Sequence, residues 1–110
     1  DASGSMLGQL ADHTRKRDVA EKVLAQRLRS FPPQINIGFR AFGHHMDWRG
    51  QEEKSCQDIE LIARVQTGQL GKIALWLQDY AAKGMTPLAQ AIRYAAEDLP
   101  REGEENNAIV

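Results

Sequence analysis

Apolar residues recur along the chain with two different periods, and the changes of period mark its elements. Val19, Ala20, Val23, Leu24, Leu28 and Phe31 follow one another at intervals of three and four, the spacing of one face of an amphipathic helix. On the outer side Arg17 stands four before Glu21 and Asp18 four before Lys22, opposite charges that support a helix modestly. Pro32-Pro33 ends the pattern, since proline has no N–H to give and clashes with the preceding turn. From Gln34 to Phe42 the period is two, with Ile35, Ile37, Phe39 and Ala41 on one parity and Asn36, Gly38 and Arg40 on the other, which predicts a strand. Phe42 falls on the polar parity, so the far end of this strand is expected to be covered on both faces.

Residues 43–57 are polar and without a period, and are expected to form a loop or hairpin connection. Ile59, Leu61, Ala63 and Val65 then alternate with Glu60, Ile62, Arg64 and Gln66 as a second strand, closed by Gly68 and Gly71. Leu70, Ile73, Ala74, Leu77, Tyr80 and Ala81 return to helical spacing until Lys83-Gly84, a basic residue and a glycine of the kind common at a helix C-terminus. Thr86-Pro87 signals a new helix, the threonine as N-cap and the proline at a first position that needs no N–H. Its stripe is Leu88, Ala91, Ile92, Ala95, Ala96 and Leu99, and Pro100 ends it. A charged stretch, 101–107, leads into Ala108-Ile109-Val110, which reads as the start of a buried strand. This order predicts an α/β domain with three layers: a doubly wound, Rossmann-like, mostly parallel sheet with helices on both faces.

Composition narrows the function classes. Fourteen Lys plus Arg against 15 Asp plus Glu give a net charge of -1 over 110 residues, so the length suits one domain and no net basic field draws nucleic acid or an anionic membrane. No apolar run approaches the roughly 18 residues of a spanning helix. One cysteine, Cys56, excludes an internal disulfide and any multi-cysteine zinc site; it is either a part-buried thiol or paired with a residue elsewhere in a parent protein. The chain begins with Asp rather than Met and stops within an apolar run, which reads as an internal fragment.

Two groups carry candidate chemistry. Asp1, Ser3 and Ser5 form a D-x-S-x-S pattern in a glycine-containing turn. Alternate residues of an extended segment point the same way, so one carboxylate and two hydroxyls can converge as hard oxygen ligands for Mg²⁺ or Mn²⁺. The alternative is a plain polar turn, for which Asp, Ser and Gly are suited in their own right. His44-His45 with Asp47 has the composition of a zinc fragment, but adjacent histidines present both rings to one ion less readily than an i, i+4 pair. Trp48 in the same loop either binds or folds back over the sheet edge, Trp76 lies one position off its helical stripe as a packing flank, and Glu102 to Glu105 is a solvated or acidic patch.

The N-terminal Asp1-Ala2-Ser3-Gly4-Ser5-Met6 resembles the metal-ion-dependent adhesion site of von Willebrand factor type A domains, and Gly84-Met85-Thr86-Pro87-Leu88 resembles that family's second signature. Residues 39–44 and 56–61 look like a bacterial branch. The resemblance covers the whole chain as a partial domain, residues 1–110, lacking the family's first strand and its C-terminal part. It implies that Ser3 and Ser5 bind Mg²⁺ or Mn²⁺ through their hydroxyls, that Thr86 joins them directly or through water, and that Asp1 holds coordinated waters. A last acidic ligand would lie beyond Val110, and a cysteine near it would be a disulfide partner for Cys56, which favours a periplasmic, secreted or cell-surface setting over the cytoplasm.

The function so implied is metal-dependent protein binding, in which an under-neutralised ion recruits an Asp or Glu of a partner protein. A regulatory subunit working with an ATPase partner is the alternative. An enzyme with Ser3 or Ser5 as nucleophile, His44 as base and Asp47 as its orienter is disfavoured, because no G-x-S-x-G elbow is present. The chain is expected not to be an enzyme.

Overall fold

The computed structural model describes residues 1–100 and 107–110. A short 3₁₀ turn, Gly4–Leu7, is followed by helix α1 (Lys16–Ser30), strand β1 (Ile37–Phe42), a single helical turn α2 (Glu52–Ser55), strand β2 (Ile59–Gln66), helix α3 (Leu70–Gln78) and helix α4 (Leu88–Asp98). The run Glu102 to Glu105, expected as a solvated loop or an acidic patch, lies outside the described residues.

The sheet corrects the expected fold class. β1 and β2 form a two-stranded antiparallel sheet flanked by helices, not a three-layer, doubly wound, mostly parallel Rossmann-like sheet. The reason lies in the connection. Parallel neighbours need a crossover, usually a helix of several turns, whereas residues 43–58 contain only the one turn α2 and fold back on themselves. β1 therefore returns directly into β2, with Phe42 opposite Ile59, Ala41 opposite Glu60 and Arg40 opposite Leu61. Irregularities on either side of Phe39 shift the register towards the open end, where Ile37 stands opposite Gln66. Ala108 to Val110, expected to begin a buried strand, belong to neither strand and are exposed.

Ala2, Leu28, Ala63, Ile73, Leu77, Tyr80 and Ala82 form the buried core, with Phe31, Ile37, Phe39 and Trp76 packed against it. α1 and α3 supply one side of it, and α4 runs against both strands. Arg40 of β1 ties α4 down, donating through Nε and Nη2 to the Asp98 carboxylate, the second bond at 2.9 Å, with its guanidinium over the Tyr94 ring. Ala41 and Phe42, consecutive and so on opposite faces, are both buried. A sheet of two strands is too narrow to cover the helices. Only Leu28 of α1 and Ala91 of α4 are buried, while Val23, Leu88 and Ile92 are about half exposed.

Local expectations divide in the same way. Both strands and three longer helices lie where the periodicity put them, with β1 beginning three residues later than Gln34 and α3 ending three before Ala81. Neither expected i, i+4 pair of α1 is an ion pair among the described residues; Asp18 is bonded to Arg15, and Arg17 lies over the Tyr80 ring. Thr86 makes no side-chain cap, since Pro87 takes the cap position and Leu88 donates to the Thr86 carbonyl instead.

The N-terminal segment is woven into the end of the sheet by its backbone. Ala2 N–H donates to Phe42 O, Lys83 N–H to Ala2 O and Gly4 N–H to Gly84 O, while Gly84 N–H donates to Gly43 O. Ser3 and Gly84 form an isolated parallel bridge. This junction sets the path of the chain as it leaves β1, where the candidate chemistry lies.

Candidate metal centre

Gly43 has a φ of +76°, a left-handed conformation that glycine adopts without steric cost. It turns the chain out of the strand, so the next two side chains do not point to opposite faces as they would in a continuing strand. The His44 and His45 rings lie side by side, 4.0 Å between centroids and tilted by 41°. That bend removes the objection to adjacent histidines as joint ligands.

Asp58 comes to this pair from the other strand. It immediately precedes β2 as Gly43 immediately follows β1, and antiparallel pairing of Phe42 with Ile59 brings the two ends together. His44, His45 and Asp58 each offer a ligand atom, all within 4.8 Å of one another, and so form a cluster that can chelate a divalent metal ion. An ideal tetrahedron with zinc–ligand bonds of about 2.0–2.1 Å has edges of about 3.4 Å, so the donors must close by something over an ångström at their widest. The His45 ring is 60% exposed and free to make that adjustment, whereas the Asp58 side chain is only 3% exposed.

The frame around the cluster is well held. One Asp58 oxygen, Oδ2, accepts the N–H groups of His45 and Met46 at 2.7 and 3.0 Å, and Oδ1 lies 3.1 Å from His45 Nδ1. Burial alone would push the Asp58 carboxyl up, but the N–H groups of Met46 and His45, with the two imidazoles, outweigh it and hold the carboxyl below its usual range. Ser55, fully buried at the end of α2, donates its hydroxyl to Met46 O and accepts Met85 N–H. The loop is thus clasped at both ends.

His44 is nearly enclosed. Its ring meets the edge of Trp76 at a centroid distance of 5.3 Å, and Trp76 in turn stacks on Tyr80 and meets Phe39, the packing expected of a flank residue. His44 Nε2 lies 2.8 Å from Glu60 Oε2, while Nδ1 is buried with no partner among the described residues. Trp48 lies partly over Gly4, with Arg49 stacked on its own ring.

The residues singled out at the N-terminus are partly assembled. Ser3 N–H donates to Asp1 Oδ1 at 2.8 Å, and the Ser3 and Ser5 hydroxyls are 3.0 Å apart. Thr86, exposed and two residues beyond the Gly84 bridge to Ser3, makes no side-chain hydrogen bond to them among the described residues. The proposed nucleophile arrangement is not formed: the serine hydroxyls bond each other, His44 bonds Glu60, and Asp47 accepts Arg49 N–H. Asp58 and Glu60 escaped the sequence reading because they lie more than a dozen residues from the histidines. The available signal was an antiparallel return, which sets the first residues after β1 against those that open β2.

No family model matches the chain, and no curated protein or solved structure matches it. With the antiparallel two-stranded sheet on view, the resemblance to von Willebrand factor type A domains does not extend to the fold. The adhesion mechanism tied to that fold and the ATPase-partnered alternative lose their support with it. What the structure adds is a cluster at different residues, His44, His45 and Asp58, whose donor atoms lie close enough to coordinate a divalent ion in principle. No helix among the described residues is long and apolar enough to cross a membrane.

Proposed function

We propose that this chain is a divalent-metal-binding domain whose ion is held by His44 and His45 within the cluster they form with Asp58. The observation that carries the reading is convergence: three side chains from the two ends of a clasped loop bring ligand atoms within 4.8 Å of one another. Two imidazoles in the donor set favour Zn²⁺, Co²⁺, Ni²⁺ or Cu²⁺ over the Mg²⁺ or Mn²⁺ expected of the serine hydroxyls, because Mg²⁺ prefers oxygen and gives up water reluctantly. The role is binding rather than catalysis. With the His45 ring largely in solvent, an ion here has an open side where an Asp or Glu of a partner protein can approach it.

Calorimetric titration with Zn²⁺ and, separately, Mg²⁺ tests this, alongside His45→Ala and Ser5→Ala. The expected result is one Zn²⁺ per chain, weakened at least tenfold by His45→Ala and unaffected by Ser5→Ala, with Mg²⁺ far weaker. Binding that survives His45→Ala but fails in Ser5→Ala would overturn the proposal and move the ion to the Asp1–Ser3–Ser5 turn.

A further inference from the structure

The hydrogen bonds around the two histidines assign different tasks to the two nearby carboxylates. Asp58 is already occupied: Oδ2 accepts two backbone N–H groups and Oδ1 faces His45 Nδ1. In the neutral His45 ring the proton therefore sits on Nδ1, towards Asp58, and Nε2 keeps its lone pair. That lone pair faces Glu60 Oε2 at 3.6 Å, itself an acceptor, so two acceptors look at each other with no proton between them. His44 Nε2 lies 2.8 Å from the same Glu60 oxygen. Glu60 Oε2 thus lies within 3.6 Å of a ring nitrogen of each histidine.

Resting on the metal-binding reading above, we propose that Glu60 is a ligand of the ion, bound between His44 Nε2, His45 Nε2 and Glu60 Oε2, and that Asp58 is a positioning residue. Asp58 fixes the tautomer and direction of His45, as a carboxylate behind a metal-bound histidine does. A cation resolves the facing lone pairs of His45 and Glu60, replacing a repulsive contact by two bonds. Coordination through Nε2 places the proton of the neutral His44 ring on Nδ1. Glu60 projects from β2 opposite Ala41 and its side chain is 47% exposed. It can follow the ion without disturbing the core, and a partner's carboxylate would add beside it or take its place.

The test is Zn²⁺ titration of the 110-residue chain as wild type, Glu60→Gln and Asp58→Asn, with Co²⁺ absorption as a second readout and a urea midpoint for each metal-free protein. Glu60→Gln is expected to weaken Zn²⁺ at least tenfold, change the Co²⁺ spectrum and leave the metal-free midpoint unchanged. Asp58→Asn is expected to weaken Zn²⁺ and lower the midpoint while keeping the wild-type Co²⁺ band positions once saturated. Wild-type affinity and spectrum in Glu60→Gln would overturn the assignment of Glu60 and leave Asp58 as the direct ligand, with the metal-binding reading intact. Absence of Zn²⁺ binding by the wild type would overturn both.

Discussion

Gly43 and Gly84 pack backbone against backbone: a Cβ on Gly84 would lie 2.6 Å from Gly43 Cα, 2.8 Å from Met46 O and 2.9 Å from Ser55 Oγ. All three neighbours belong to the frame that carries His44 and His45. Gly84→Ala must push that frame aside, at a cost of about 2–3 kcal/mol, read as a lower urea midpoint. An unchanged midpoint would show that the two segments do not approach so closely. At Gly71, in the first turn of α3, a Cβ meets nothing within 4 Å, so Gly71→Ala is expected to stabilise by about 0.5–1 kcal/mol.

The depressed Asp58 carboxyl makes stability depend on pH with a definite sign. A carboxyl whose folded pKa lies below its unfolded value of about 3.9 contributes stability that is present above that value and is lost as pH falls through the folded pKa. Urea midpoints of the wild type are expected to fall below about pH 4. Asp58→Asn removes the charge that accepts the N–H groups of His45 and Met46. It is expected to cost about 1–3 kcal/mol at neutral pH and to flatten the acid limb; parallel profiles would contradict the assignment.

Arg40 and Asp98 are each about one-fifth exposed, so their pairing is little screened and holds α4 to the sheet. Asp98→Ala leaves the guanidinium with only the Tyr94 ring beside it and is expected to cost about 2 kcal/mol. The double variant Arg40→Met, Asp98→Leu should recover most of that loss, since it removes the buried charge together with its partner. A double variant no more stable than Asp98→Ala would show that the pair has a role beyond tethering.

Zn²⁺ is expected to raise the melting temperature and EDTA to reverse the rise. At a free concentration one hundred times the dissociation constant the stabilisation is about 2.7 kcal/mol. The effect should be far smaller with Mg²⁺, which prefers oxygen ligands and gives up water reluctantly. An equal shift with Mg²⁺ would contradict a site built on His44 and His45.

Much of the local structure was legible in the chain, and the missing part has a common cause. The alternation from Ile59 to Gln66 and the i, i+3, i+4 rows of α1, α3 and α4 follow from periodicity, which depends only on neighbours in sequence. The direction of β2 relative to β1 does not. It depends on whether residues 43–58 cross over or return, and their polar, aperiodic composition is compatible with either. The parallel sheet is read from the order of the elements, and the loop or hairpin expected at residues 43–57 does not by itself set His44 and His45 beside Asp58 and Glu60. A return would have set them together, because the residue after a strand's end lies beside the residue before its antiparallel neighbour's start.

The sequence by itself determined both strands and the three longer helices, their punctuation by Pro32-Pro33, Gly68 and Pro100, and the presence of imidazole and carboxylate donors near β1 and β2. Tertiary structure alone decided which donors meet. The left-handed Gly43 sets the two histidine rings side by side, the Phe42–Ile59 pairing brings Asp58 and Glu60 to them, and the contact of Gly84 with Gly43 and Ser55 holds the frame. A ligand set is a relation between side chains distant in sequence, and only the closing of the antiparallel pair supplies it.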